Sequence, residues 1–210
     1  AMGECVAELA GESAWKLKTI LRSQRFFCDR EMVGLYKTKL LSYIAYRTAA
    51  TFHACETHLA RIDSKQDRFL SDLGISALDA LFVFNLAPLR VRRQIAMLGV
   101  IHRCVLGQGP EQLHDFFRRK LAPSHQQPTR SAARRHDSQL VDVRDGHFLE
   151  IQRGSAFGLV WVYNRLPEHV VAARTVSHFQ HELQEGVKSR ALSGCEDWLG
   201  TLDPRVPVYR

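Results

Sequence analysis

The sequence has no Cys-x-x-Cys pair, no adjacent Asp–Asp pair, no Gly-x-Ser-x-Gly elbow and no glycine-rich phosphate loop. These absences exclude the local motifs of a zinc ribbon, a two-metal polymerase centre, a serine hydrolase and a phosphate cradle. No apolar run approaches the roughly 18–20 residues of a membrane helix. The first ten residues hold Glu4 and Glu8 and no basic stretch, so they do not read as a signal peptide. Cysteines are few and scattered, at positions 5, 28, 55, 104 and 195, and their number is odd. That pattern predicts reduced, mostly buried thiols in an intracellular protein rather than a disulfide framework.

What the chain does have is an ordinary globular balance, 45% hydrophobic and 24% charged, over 210 residues. This suits one large domain or two small ones and is enough for a sizeable core. Its charge is uneven. The net charge is +7, yet residues 88–136 alone carry Arg90, Arg92, Arg93, Arg103, Arg118, Arg119, Lys120, Arg130, Arg134 and Arg135 against Glu111 and Asp115. That segment sums to +8, so the rest of the chain is near neutral. A concentrated basic stretch is the electrostatic footprint of a polyanionic partner, or else a solvated face. Lys18, Arg22 and Arg25 add a second basic stripe at helical spacing.

Periodicity predicts a mainly α fold. Ser13 is expected to cap a helix to about Phe27, with Ala14, Leu17, Ile20 and Leu21 inward. A second helix runs from Arg30 to about Ala50 on Met32, Leu35, Tyr36, Leu40, Tyr43 and Ile44. Leu59, Ile62, Phe69, Leu70 and Leu73 mark a third, stopped by Gly74. Ser76 and Asp79 form a capping-box-like start to a short helix ending near Phe84. Pro88 opens the next helix, with Val91, Ile95, Leu98, Ile101, His102 and Val105 buried and Gly107 as its stop. A short helix then buries Leu113, Phe116 and Phe117.

The periodicity disappears over residues 118–138, which read as a basic linker. Gln139–Arg144 and His147–Gln152 alternate around Asp145–Gly146, a β-hairpin signal. A helix over Ser155–Asn164 ends before Pro167, and Thr175 caps a last helix to Leu192. The expected organisation is therefore a helical bundle over 1–117, a basic linker over 118–138, and a hairpin with two or three C-terminal helices over 139–210.

Chemistry-bearing clusters are sparse. Cys55 and His58, three apart, share a helical face, but His53 points elsewhere and a fourth metal ligand is missing. They read as a buried thiol beside half-exposed histidines. His178 and His181 lack a neighbouring carboxylate or thiol ligand and carry no metal prediction. Asp142 and Glu150, on opposite hairpin strands, have the look of a metal-nuclease acid pair. Gln152 occupies the position where such centres place a lysine, so both acids read as solvent-facing strand residues.

Several segments, in order, resemble one family. Trp15-Lys16-Leu17-Lys18 through Phe27, Leu35-Tyr36-Lys37 and Leu40 to Tyr46 are similar to the region following the polymerase palm in non-LTR (LINE-type) retrotransposon reverse transcriptases. Gln66-x-x-Phe69-Leu70 and Leu73-Gly74 continue the pattern, followed by Leu86-Ala87-Pro88-Leu89-x-x-Arg92-Arg93 and Leu98-x-x-Ile101-His102-Arg103. Ser155-x-Phe157, Val160-Trp161-x-x-Asn164-x-Leu166-Pro167, Phe179 and Leu183 resemble the family's C-terminal segment. The resemblance covers about residues 15–192. It implies a thumb and post-thumb region without the catalytic aspartates, which lie upstream in the family. It also implies an intracellular and nuclear setting.

The expectation is a non-enzymatic protein without metal or cofactor, contacting the phosphates of RNA, DNA or a hybrid. Lys18, Arg22, Arg25 and the ten cations of residues 88–136 are the candidate contacts. The alternative is a domesticated scaffold subunit of a larger, RNA-containing assembly, which would expose a large apolar patch to its protein partner.

Overall fold

In a computed structural model, which describes residues 2–120, 136–142, 152–195 and 197–204, the chain forms two units, Ala1–Arg93 and Gln94–Arg210. The described elements are helical, joined by turns and one isolated antiparallel bridge, Arg119 to Leu140. The predicted hairpin turn at Asp145–Gly146, most of its strands and linker residues 121–135 lie outside the described residues. Gln152, expected to end a strand, is helical. The strand segment from Gln139 pairs with Arg118–Lys120, so the first residues of the predicted linker are bonded to it. Lys120 N–H donates to Gln139 O (2.7 Å) and Val141 N–H to Arg118 O (2.9 Å).

In the first unit, helix α1 is Met2–Leu21. It begins well before Ser13, which is not a cap but a buried residue inside the helix. Val6, Leu9, Ala10, Leu17 and Ile20 share its buried side, so the apolar face extends further N-terminally than the Ala14–Leu21 pattern indicates. A turn and a short 3₁₀ segment, Gln24–Phe26, follow where one continuous helix was expected.

The predicted Arg30–Ala50 helix is four pieces: α2 (Asp29–Leu35), a π-helical segment Tyr36–Leu41, α3 (Ser42–Tyr46) and α4 (Thr48–Thr51). Ser42 N–H reaches back to Lys37 O, the i→i+5 bond that defines the wider turn. Tyr36, Leu40 and Leu41 are all buried, which the extra residue in that turn accommodates.

Helix α5 (Glu56–Leu73) ends at Gly74, whose φ of 68° places it in the left-handed region that terminates helices without a Cβ penalty. Helix α6 (Ala77–Phe82) starts as predicted, with Ser76 Oγ accepting from Asp79 N–H at 3.0 Å. The Asp79 carboxylate bonds the Ser76 hydroxyl (2.6 Å) and not the Ser76 amide of a full capping box. Between these elements, the Tyr36 ring stacks on Phe69 at 4.4 Å. The Tyr36 hydroxyl bonds Gln66 Oε1, and Gln66 Nε2 donates to Ala87 O (3.1 Å), so this buried amide is satisfied.

Helix α7 (Leu89–Val105) contributes its first residues to this unit and the rest to the second. All six residues predicted on its inner face are buried. In the second unit α8 (Glu111–His114) is followed by Phe117, buried as expected, and Phe116, which is exposed. Phe116 instead lies beside the Phe157 ring, 5.7 Å away.

Helices α9 (Ala156–Tyr163), α10 (Glu168–Val171) and α11 (Val176–Leu192) follow, and a 3₁₀ segment, Trp198–Gly200, comes after them. Ser155 and Thr175 cap α9 and α11 through their hydroxyls. His102 lies at the centre, its ring stacked on Phe179 at 4.1 Å, with Nδ1 2.9 Å from the Tyr163 hydroxyl and Nε2 2.9 Å from Ala173 O. Because a carbonyl only accepts, Nε2 carries the proton and Nδ1 accepts from Tyr163.

Asn164 holds the Leu140 backbone at both ends: Leu140 N–H donates to Oδ1 (2.7 Å) and Nδ2 donates to Leu140 O (2.9 Å). Asn164→Ala is expected to cost about 2 kcal/mol, since it leaves two backbone groups unmatched. Asn164→Asp is expected to cost a similar amount, because a carboxylate keeps the acceptor and loses the donor. Urea titration of both variants checks this; wild-type stability in either would show that the clamp contributes nothing.

Candidate nucleic-acid interface

The two basic groups predicted from the sequence fare differently. Lys18 lies in the last turn of α1, Arg22 just beyond it and Arg25 in the 3₁₀ segment, and all three are exposed. The Arg22 N–H still bonds Lys18 O, so the helical course runs one residue past Leu21. Trp15, Lys18 and Arg22 therefore occupy i, i+3 and i+7 on the outer side of α1. Trp15 and Phe26 are each 68% exposed, and the Arg25 guanidinium sits 4.6 Å above the Phe26 ring. Phe27 continues the exposed apolar surface and Tyr46 is exposed as well.

This interleaving of aromatics with cations is absent from the sequence reading. Its signal was available: Trp15 falls off the Leu17–Ile20 face, and Phe26–Phe27 follow the point where helical periodicity fails. Cations at a helix C-terminus also complement the helix dipole, a stabilising arrangement in its own right.

The cations of residues 88–136 divide. Arg93 is 6% exposed and grips Asp63 with both guanidinium nitrogens, Nη2 to Oδ2 at 2.8 Å. Its charge is engaged inside the fold. Arg90 pairs with Glu56 at 3.2 Å. Arg92 is half-buried, and burial lowers its pKa, with Tyr36 opposing. Arg118 pairs with Asp115 (2.6 Å), both well exposed, and Arg119 donates to Val105 O (2.7 Å). Arg103 and Lys120 are exposed and have no ion-pair partner among the described residues, as also holds for Lys18 and Arg22. Arg130, Arg134 and Arg135 lie outside the described residues.

A further basic group was missed in the sequence. An open depression of about 380 Å³ at the start of α11 is lined by His169, Ala172, Ala173, Arg174, Thr175 and His178. Helix N-termini favour anions. His178 also lies 3.3 Å from Glu182, one turn on, and so has the carboxylate neighbour the sequence reading denied it.

The remaining candidate clusters are dispersed. Among the described residues no group of three His, Cys, Asp or Glu side chains is placed to hold a metal. Asp142 is half-buried, and Glu150 lies outside the described residues. Of the five thiols only Cys104 is buried. Cys5 and Cys195 are intermediate and Cys28 and Cys55 exposed, which corrects the expectation of mostly buried cysteines. The error has a local cause, because Cys28 and Cys55 are N-cap residues at helix entrances rather than members of an apolar face. Among the described residues no helix is long and apolar enough to cross a membrane. No family model, curated protein or solved structure matches the chain.

Proposed function

We propose that the chain is a non-catalytic nucleic-acid-binding region of a reverse-transcriptase-type polymerase, holding the phosphate backbone of a template–primer duplex or RNA. The observation that carries this reading is the exposed outer side of α1 with Trp15, Lys18 and Arg22, followed by the exposed Arg25–Phe26 pair. Cations along it neutralise phosphates, while the aromatic faces stack on unpaired bases or ends. Arg103, Arg118, Arg119 and Lys120 supply a second set of exposed cations, and Arg174 with the N-terminus of α11 a third. Arg93 is left out of the contact set because Asp63 already occupies its fork. Arg130, Arg134 and Arg135 keep their place by charge alone. The ordered resemblance to retrotransposon reverse transcriptases supports the same reading and, with it, a nuclear setting.

Filter binding at low salt with duplex DNA, RNA and an RNA–DNA hybrid tests the proposal. Micromolar or tighter affinity that falls steeply with salt is expected. No retention of any of the three at 50 mM salt would end it.

A second reading is favoured by a separate observation. Trp15, Phe26, Tyr46 and Val83 are each at least two-thirds exposed, and Phe27, Leu78 and Phe82 partly so. Exposed apolar residues in such number fit a scaffold subunit that docks a protein partner. Co-purification with a stoichiometric protein supports that reading, and a monodisperse, partner-free monomer counts against it.

A further inference from the structure

Cys55 occupies the N-cap position of α5, the 18-residue helix, without a side-chain cap bond, and its thiol is exposed. His58, one turn into the helix, places Nδ1 2.6 Å from Cys55 Sγ, and Thr57 places its hydroxyl 3.1 Å away. The Cε1–Nε2 side of the imidazole lies against Gly3 of α1. A Cβ built on Gly3 would lie 3.2 Å from both Cε1 and Nε2 of His58, so a side chain there would crowd the ring. The ring is thus oriented from two sides, by the α1 backbone and by the thiol. The partly positive helix terminus adds a third influence favouring negative charge on sulfur. Cys28 is also exposed at a helix start, but what its backbone N–H meets there is the Glu31 carboxylate, at 2.9 Å.

We propose that Cys55 and His58 form a nucleophilic thiolate site that is modified by small hydroperoxides. The Cys55 thiolate attacks the terminal peroxide oxygen. An S–O bond forms as the O–O bond breaks, sulfur is oxidised and the peroxide reduced. The departing alkoxide, or hydroxide from hydrogen peroxide, takes a proton from solvent, leaving Cys55 as a sulfenic acid. His58 acts as a positioning residue, donating to the thiolate through Nδ1. The Thr57 hydroxyl, followed by the His58 contacts, draws the thiol pKa down to about 7. At pH 7 about half of such a thiol is ionised, against a few per cent for an ordinary one. Lower intrinsic nucleophilicity offsets part of that gain, leaving a net advantage of about threefold.

The test treats the full chain at pH 7 with substoichiometric hydrogen peroxide in the presence of dimedone, and maps the adducts by peptide mass spectrometry. Cys55 is expected to be labelled about threefold faster than Cys28 in the same molecule. His58→Ala is expected to diminish that lead, the Thr57 contact remaining, while leaving Cys28 labelling unchanged. Cys55 labelling no faster than Cys28 overturns the proposal without need of any variant. A folded His58→Ala protein with undiminished Cys55 labelling overturns the role given to the imidazole.

Discussion

Replacing Asp63 with alanine is expected to destabilise the protein by about 3 kcal/mol. Arg93 is nearly inaccessible, and Asp63 on α5 satisfies its guanidinium in a two-pronged contact. Without the carboxylate, a permanently charged group stays buried with no counter-charge in this pair, since an arginine does not deprotonate. The Asp63 side chain is 26% exposed, so solvent softens the loss and the estimate sits at the low end of the range for buried pairs. Removing both charges is a different matter. Arg93→Met combined with Asp63→Leu is expected to lie within about 1 kcal/mol of wild type, because the desolvation cost vanishes with the attraction. Urea denaturation of the single and double variants measures both. A single variant as stable as wild type would mean that Arg93 is solvated after all.

His102→Ala is expected to cost about 3 kcal/mol in the second unit, from the cavity left against Phe179 and from two polar atoms stripped of their partner. The Tyr163 hydroxyl and the Ala173 carbonyl are those atoms. The same site makes stability depend on pH. Burial holds the His102 pKa below its ordinary value, with the Ala173 carbonyl opposing and Arg119 assisting. The unfolded chain therefore takes up a proton at a pH where the native histidine is still neutral. The contribution is complete above about pH 6.5 and is lost as pH falls from there toward the native pKa. His102→Gln has no proton to gain, so its stability should change less than that of wild type between pH 7 and pH 5. Parallel pH profiles for the two proteins would remove His102 from the acid sensitivity.

Strong, long periodicity was readable from residue order alone. Helix α11 spans Val176–Leu192 with Thr175 as its cap, α5 ends at Gly74, and the inner face of α7 is buried. Each rests on a repeated apolar spacing closed by a residue with a clear local role. Interruptions were harder to read. The π-helical turn at Tyr36–Leu41 leaves the apolar pattern of a continuous helix, since both registers keep Tyr36 and Leu40 inward. Ser13 carries the chemistry of a cap yet sits inside α1, because Val6, Leu9 and Ala10 continue the apolar face before it.

The candidate interface was legible only as charge. Sequence spacing cannot distinguish Arg93, whose partner Asp63 is thirty positions away, from Arg103, which faces solvent. Nor did it distinguish an aromatic of the core from one left outside, as Trp15 and Phe26 are. Those distinctions depend on tertiary packing.

The most direct test of the proposed function is the salt dependence of nucleic-acid binding by wild type and by a Lys18→Glu/Arg22→Glu/Arg25→Glu variant, measured by fluorescence anisotropy on a labelled duplex. The variant should remain folded, since all three side chains are exposed. The proposed function predicts affinity reduced at least tenfold at 100 mM salt, and a plot of log K against log salt shallower by about 2 to 3. Equal affinity and equal slope for the two proteins would contradict it.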